Sequence, residues 1–528
     1  MNTLQANICL IAVTLLWSFE VMIHSVIPEG VNPFATVCVT SLISAMLLGS
    51  YFFKRIALVM KKQRGIFLKR IAFLGILSAT YNALYLIGLE EFDVSSGAFT
   101  VSMTAVILPV LLLVMRRGIE KRTLVSALIV FVGIAVALAP AIHSDDLRGL
   151  GVMIAGSLIR AVYIVKLNDY ARKHDPITLA TGMSTVGAIT AFIPWFYTTP
   201  TTFFSLPWSA ELIAAYFVYG YFIVALTTVL NVYAQRRTSA AHATIIYSLE
   251  IVFATIWATV LPVDVLESAP LTPHVIIGCA LVLIGNLVVI MRRGALNEKK
   301  TEDEVDRVMI QTSHPFALFL ERLRSPLARK TLLFLALLVV YLVIALPFKV
   351  LSVIPGFTDV RPVNMLIPAY GIFFGIPGCL AFAFGNLIGD IASDSLRISS
   401  IAGFVANFLY PYLLYLIWTK IRKEPFHLRT VPMLCGMTAS LLAGSLMTTA
   451  IITPAVAYFY PDVNIAVFAL SVLSNTFLFP FGFAIPFIIL IQEELGYEPL
   501  GRHKVGKHEA QGHNSPKNPS TSSMLTGQ

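Results

Sequence analysis

The 528-residue chain is 57% hydrophobic and 13% charged, against roughly 45–50% and 25% in soluble domains. That excludes a soluble globular protein and leaves a polytopic membrane protein, with room for about 16 helices of roughly 20 residues each. The net charge of +9 is not a nucleic-acid signature, because the basic residues sit in short loops between apolar runs, as the positive-inside rule predicts for cytoplasmic loops.

In chain order, ten apolar segments are expected near residues 6–26, 34–53, 70–90, 94–115, 123–142, 150–167, 177–197, 211–233, 239–261 and 273–291. The first lacks a basic n-region and a cleavage site, so it reads as a retained helix that also serves as the insertion signal. Basic clusters follow every second segment: Lys54 to Arg70, Arg116 to Arg122, Lys166 to Lys173, Arg236–Arg237 and Arg292–Arg293. The alternate loops are mostly acidic (Glu29; Glu90, Glu91 and Asp93; Asp145 and Asp146; Asp264 and Glu267), with Arg148 the exception. This alternation puts both ends of the ten-segment unit in the cytoplasm.

The unit also repeats internally. Residues 12–34 align with 155–177 at one offset, pairing Trp17 with Arg160, Glu20 with Tyr163 and Pro33 with Pro176. Residues 105–115 (AVILPVLLLVM) align with 247–257 (YSLEIVFATIW), and 131–139 with 283–291. Similar segments with opposite loop charge imply two five-helix halves, about 1–147 and 148–293, inserted upside down relative to each other.

Beyond this unit, residues 294–330 read as a cytoplasmic linker. Its stretch HPFALFLERLRSPLARK, at 314–330, is a basic amphipathic helix on the membrane surface. Six further apolar segments follow near 331–350, 361–375, 378–394, 399–418, 431–456 and 464–492. The residues from 496 to 528 are polar and Pro/Ser-rich, which predicts a disordered cytoplasmic tail. The five cysteines are scattered through apolar runs with no CxxC pair, and read as small buried hydrophobes.

Charge inside a span costs about 2.5–3.5 kcal/mol on insertion scales, so each such residue asks for a partner or a function. Trp17, Glu20 and His24 share one face of the first helix, and Arg160 and Tyr163 share one face of the sixth. By the repeat these faces meet at a central cavity, with Glu20 and Arg160 as the expected charge pair and a zwitterionic or amphipathic solute as the ligand. A purely structural ion pair is the alternative. Glu250 is a candidate proton carrier or a tie between helices, and Tyr81, Asn82, Tyr85, Asn231, Tyr233 and Asn286 offer uncharged hydrogen-bonding groups.

The stretch FTDVRPVNMLIPAYGIFFGIPGCLAFAFGNLIGD, residues 357–390, holds a second set. Arg361 and Asn364 lie three apart, and Asn386, Asp390 and Asp394 four apart, so each set lines one helical face. The Gly375-Ile376-Pro377-Gly378 break cannot continue a helix smoothly. The result is a hairpin of two short segments, which points either to a binding site or to a polar cluster that only anchors the hairpin.

Residues 5–293 resemble EamA-type members of the drug/metabolite transporter superfamily. The resemblance rests on the WSF start, the Leu-Pro-Val element of the fourth segment, its echo SLEIVFATIWA and the closing IGCALVLIGNLVVI. Ile251 departs from the proline usually repeated there. Residues 331–495 resemble the substrate-capture (S) components of energy-coupling-factor (ECF) vitamin importers, including those assigned to queuosine precursors. They carry Arg361-Pro362-x-Asn364, Gly371-x-x-x-Gly375 and Gly385-Asn386-x-x-Gly389-Asp390. This resemblance implies a binding site at Arg361, Asn364, Asn386 and Asp390. S components dock their coupling subunit through an Ala-x-x-x-Ala face, but here Ala336 and Ala345 are nine apart. An ECF-type coupling module is the partner this resemblance implies, and the missing face puts its docking in doubt.

The expected protein is therefore an all-α, 16-helix inner-membrane protein with both termini cytoplasmic. A ten-helix inverted-repeat transporter is followed by a six-helix S-component-like domain. The substrate-binding candidates are Trp17, Glu20, Tyr85, Arg160, Tyr163, Glu250, Arg361, Asn364, Asn386 and Asp390. The expected partners are a small-molecule substrate and the lipid bilayer; a homodimer stays open, and no cofactor, metal or nucleic acid is implied. No Walker A motif and no nucleophile–base cluster supports an enzyme. The rival reading makes the C-terminal module a sensor or accessory subunit that binds a vitamin-like ligand and regulates the transporter half or a partner.

Overall fold

The computed structural model describes residues 1–20, 23, 27, 30–91, 94–138, 147–199, 208–260, 272–290, 326–346, 352–354, 358–359, 361–422 and 426–494. These are overwhelmingly helical, and ten of the described helices are long and apolar enough to cross a membrane. The chain is a polytopic membrane protein.

The first part consists of α1 (Thr3–Trp17), α2 (Pro33–Tyr51), α3 (Phe53–Lys62), α4 (Arg64–Glu91), α5 (Val94–Val114), α6 (Lys121–Leu138), α7 (Leu147–Ala171) and α8 (Pro176–Thr198). It continues with α9 (Ala210–Val218), a π-helical stretch Tyr219–Leu226, α10 (Thr227–Gln235), α11 (Ala240–Tyr247), α12 (Leu249–Val260) and α13 (Pro273–Ile290). Each of the ten expected apolar segments contains a helix that covers most of its described residues.

Two local departures have clear causes. The first helix stops at Trp17 instead of running to 26. Ser18 Oγ donates to the Leu15 carbonyl at 2.7 Å and the Phe19 amide tightens back onto Leu16, the usual way a helix end satisfies its last carbonyls. Glu20 thus lies just past the Ser18–Phe19 turn that ends α1, and His24 lies outside the described residues. The basic stretch after α2, expected as loop, is the helix α3. Its Val59 is buried while Phe53 and Leu58 are exposed beside Lys54, Lys61 and Lys62, the pattern of a helix lying at the membrane interface.

The packing of the first part is symmetric. With the ten apolar segments numbered in order, the principal neighbours are 2 with 7, 5 with 10, 3 with 6, 1 with 8, 4 with 6, 1 with 9, 3 with 7 and 2 with 8. Exchanging each segment for the one five places away returns the same set. The most extensive contact joins α6 and α13. A methyl on Gly133 would sit 2.8 Å from the Gly278 carbonyl, and one on Gly278 2.6 Å from that of Gly133. Small residues let helix backbones approach where lipid offers no hydrophobic drive. Ser126 Oγ also donates to the Gly285 carbonyl across this seam.

The turn between α7 and α8 is tied to the α3–α4 corner. Arg55 donates to Asp175 Oδ1 from Nε at 3.0 Å, while Asp175 caps α8 by accepting from the Thr178 amide at 2.9 Å. Next to it, Arg70 Nη1 lies 2.6 Å from His174 Nε2 and Gln63 Oε1 3.0 Å from His174 Nδ1, an arrangement that requires the neutral ring. Burial, with help from Arg70 and Lys173, pushes the His174 imidazole down to about 4. The folded ring stays neutral to about pH 4 while the unfolded one protonates near 6.5. The contribution is therefore complete above pH 6.5 and lost as pH falls towards 4. The drop in melting temperature between pH 7 and pH 4.5 is expected to be smaller in His174→Gln, as read by thermal unfolding in detergent. An equal drop would assign it to other groups.

The second part comprises α14 (Pro326–Ala345), a β-hairpin, a 3-10 turn Pro362–Leu366, α15 (Ile367–Ile372), α16 (Ile376–Ala392) and α17 (Ser399–Tyr415) with a π extension to Ile421. It ends with α18 (Val431–Phe459), α19 (Ile465–Phe479), a π stretch Pro480–Ala484 and α20 (Ile485–Ile489) with a π extension to Glu494. The hairpin pairs β1 (Ser352–Ile354) with β2 (Thr358–Asp359) antiparallel, a small exception to the all-α expectation. The surface helix expected at 314–330 lies outside the described residues up to 325, and from Pro326 the chain is already in α14. The linker and tail also lie outside, apart from those first residues of α14.

The expected 361–375 span is only the 3-10 turn plus α15, too short to cross a hydrocarbon core of roughly 30 Å. It is a half-span folded into the module. Gly375 reverses the chain with φ +61° and precedes α16, a backbone conformation that glycine adopts without a side-chain clash. The two parts of the protein touch: Phe19 stacks on Phe479 at 5.6 Å, and Asn2 Nδ2 donates to the Arg429 carbonyl at 3.0 Å.

Candidate functional site

Two polar cavities lie inside the apolar framework. The first is bounded by the end of α1 together with α4, α7 and α12, and Trp17, Glu20, Tyr81, Tyr85, Arg160 and Glu250 line it. A neighbouring space of about 60 Å³ shares Trp17, Glu20, Tyr81 and Asn82 and extends to Tyr163, Tyr219 and Asn231. That is ample for water molecules or part of a small solute.

Arg160 holds the centre. Its guanidinium lies 4.7 Å from the Trp17 ring centre and 5.8 Å from that of Tyr81, within the range of cation–π attraction. Tyr163 packs on Tyr81 at 5.3 Å, and Tyr247 meets Trp17 edge-on at 5.0 Å. Aromatic faces thus hold the cation where water is scarce.

The expected Glu20–Arg160 pair is not the one formed. Arg160 Nη2 faces Glu250 Oε2 at 3.9 Å, and Glu20 instead accepts from the Tyr219 hydroxyl. Glu20 sits beyond the end of α1, where the π-helical stretch of the eighth segment brings Tyr219 to it; π turns mark functional sites frequently. Glu250 is 4% exposed, and its Oε2 has no hydrogen-bond partner among the described residues. The site therefore holds one cation and two carboxylates.

Of the uncharged candidates, Asn286 serves packing, donating to Ser248 Oγ at 3.1 Å and to its own helix. Asn231 accepts from the Tyr247 hydroxyl at 2.5 Å and from Gln235 at 2.9 Å, which stiffens the cavity wall. Tyr219 gave little signal in the sequence, because it lies in an apolar run with no polar neighbour.

The second cavity, of about 70 Å³, lies in the C-terminal part, and Arg361, Asn364, Asn386 and Asp390 all line it. Arg361 precedes the 3-10 turn, whose three residues per turn set Asn364 on the same side. Arg361 Nη1 donates to Asn386 Oδ1 at 2.7 Å, and its Nη2 lies 3.9 Å from Asp390 Oδ1. Asp390 Oδ2 accepts from Ser400 Oγ at 3.2 Å. Asp394, expected on the same face, lies past the end of α16 in a left-handed turn of φ +52° and does not line the cavity.

Asn475 of α19 closes the far side, and neither charge nor spacing singled it out. Its Oδ1 accepts from the Arg361 amide at 2.9 Å and its carbonyl from Asn364 Nδ2 at 3.0 Å. The polar Ser471, Ser474, Asn475 and Thr476 in an otherwise apolar run were the available signal. Thr448, 1% exposed, lines the same space with a hydroxyl that has no partner among the described residues. Apolar side chains complete the lining: Ile452, Val456, Phe468 and Val472. Such a cavity suits a compact solute with one hydrogen-bonding edge and one apolar face.

A family model described as the EamA-like transporter family matches residues 4–139 and again 147–291, together more than half of the chain. An uncharacterized transporter of Archaeoglobus fulgidus is 25% identical over 229 residues, which are 43% of this chain and 79% of that protein. A solved structure described only as "Crystal structure of protein" is 19% identical with a TM-score of 0.45, covering 55% of this chain and 99% of that one.

Proposed function

The chain belongs to the EamA-like transporter family, and from that premise we propose that its ten-segment half moves a small polar or amphipathic solute by alternating access. The observation that carries the reading is Arg160, held between Trp17 and Tyr81 and facing the buried Glu250 in a cavity bounded by both halves. One cation set against two acids and several aromatic rings favours a zwitterion or an amphipathic amine, which can exchange partners with the resident charges. The doubled family match and the exchangeable packing support two inverted five-helix repeats, the arrangement in which rocking of one unit on the other exposes a midplane site to each side in turn.

The C-terminal module is read as a solute-capture domain similar to S components, giving about 16 membrane segments in all, with both termini on the cytoplasmic side of the inner membrane. The polar cavity lined by Arg361, Asn364, Asn386 and Asp390 supports this. A sensor role for the same module is the second reading, favoured by its direct packing on α1.

The test is uptake by the full chain in proteoliposomes, using amino acids, polyamines and amphipathic amines under proton and sodium gradients. Uptake is expected for at least one class, with at least a tenfold loss in Glu250→Gln and in Trp17→Ala. Absence of uptake for every class under every gradient would sink the transporter reading. Uptake that survives Arg361→Ala, with only its regulation altered, would favour the sensor.

A further inference from the structure

We propose that the C-terminal cavity regulates the transporter cavity through α1, which lies between the two. This deepens the sensor reading and rests on the C-terminal cavity being a binding site.

Both ends of α1 touch the C-terminal module. Asn2 bonds the Arg429 carbonyl at one end, and Phe19 packs on Phe479 and Phe483 at the other. In the last turn of α1, a methyl on Gly482 would sit 2.2 Å from Leu15 Cδ2, so the two segments are in close contact. On its other side the same short segment carries Trp17 and Glu20, which line the transporter cavity. Phe19 and Glu20 are consecutive, one facing each module.

The far end of this contact reaches the second cavity within one helical turn. Asn475 and Thr476 line that cavity, Asn475 holds both Arg361 and Asn364, and Phe479 lies four residues on. The helix changes pitch at this point for a chemical reason. Pro480 has no amide to give the Thr476 carbonyl, the Tyr410 hydroxyl lies 3.1 Å from that carbonyl while also bonding the Leu441 carbonyl at 2.8 Å, and the chain runs as a π-helix over Pro480–Ala484. Glu20 meets a second π-helical stretch through Tyr219. The end of α1 is thus gripped between two segments whose hydrogen-bond ladders are already displaced from the α register, where a shift of register disrupts fewest α-helical bonds. A solute that draws on Arg361, Asn364 or Asn475 displaces the Phe479–Phe483 pair, and Phe19 carries that displacement to Trp17 and Glu20.

Hydrogen–deuterium exchange of the full chain in nanodiscs tests this without a solute. Asn475→Ala is expected to raise exchange of the peptide covering residues 10–20 at least threefold while leaving α6 and α13 unchanged. In the background Phe19→Leu, which thins the contact, the same substitution is expected to add nothing further in that peptide. Asn475→Ser, which keeps a polar group, serves if the alanine variant does not fold. Wild-type exchange in residues 10–20 despite raised exchange in 361–366 overturns the proposal, as does an effect of full size in the Phe19→Leu background. Because no solute is added, a failed search for the captured molecule leaves this result standing, and a failed coupling leaves capture intact.

Discussion

Arg160→Ala is expected to destabilise the protein by about 3–5 kcal/mol, the usual cost of removing one partner from a buried ion pair. The reason is the company it leaves behind. Glu250 is 4% exposed, its Oε2 has no hydrogen-bond partner among the described residues, and Arg160 is its ion-pair partner at 3.9 Å. Trp17 and Tyr81 would also lose the cation they face. Denaturant or thermal unfolding in detergent reads the effect, and the double variant Arg160→Ala/Glu250→Gln separates its causes. If the charge left unpaired dominates, the double variant recovers most of the loss; if the aromatic packing dominates, it recovers none. Arg160→Lys is expected to retain much of the stability but little transport, because an ammonium on a flexible stem cannot lie flat between two rings.

Gly371→Ala is expected to cost about 3 kcal/mol and to deform the C-terminal cavity. A methyl there would sit 2.1 Å from the Pro411 carbonyl oxygen and 2.9 Å from its carbon. Both are backbone atoms of α17 and cannot rotate away, so α15 must move, at the upper end of typical overpacking costs. α15 continues from the 3-10 turn that carries Arg361 and Asn364, so the shift passes directly to the site. Gly151→Ala provides the contrast. Nothing lies within 4 Å of a methyl at that position of α7, and a stability gain of about 0.5–1 kcal/mol follows from helix propensity. Equal unfolding midpoints for the two variants would refute the packing argument.

Legibility in the sequence followed the kind of force involved. Segments defined by length and hydrophobicity were readable, because each must bury its own backbone hydrogen bonds in lipid. Glu20, Arg160, Glu250 and Arg361 were readable as candidates because a charge in a span is costly enough to be conspicuous. Their pairing was not, since it depends on where a helix ends. One more turn of α1 would carry Glu20 elsewhere, and Ser18 closing back on Leu15 is a local hydrogen bond with no clear mark in the composition. Tyr219 and Asn475 were missed because an uncharged side chain in an apolar run looks the same whether it faces lipid, a neighbouring helix or a cavity.

By itself the sequence determined the membrane class and the ten-segment unit, and it marked the residues that are costly to place in a bilayer. All of these follow from hydropathy and loop charge, which act along the chain. Only the tertiary structure decided that Arg160 pairs with Glu250 while Glu20 bonds Tyr219, that residues 362–372 form a half-span, and that the segment lining the first cavity also packs on the C-terminal module. Those outcomes depend on packing between segments distant in the chain, such as Arg160 with Glu250 and Phe19 on Phe479, and contacts of that kind leave no periodic trace in the sequence.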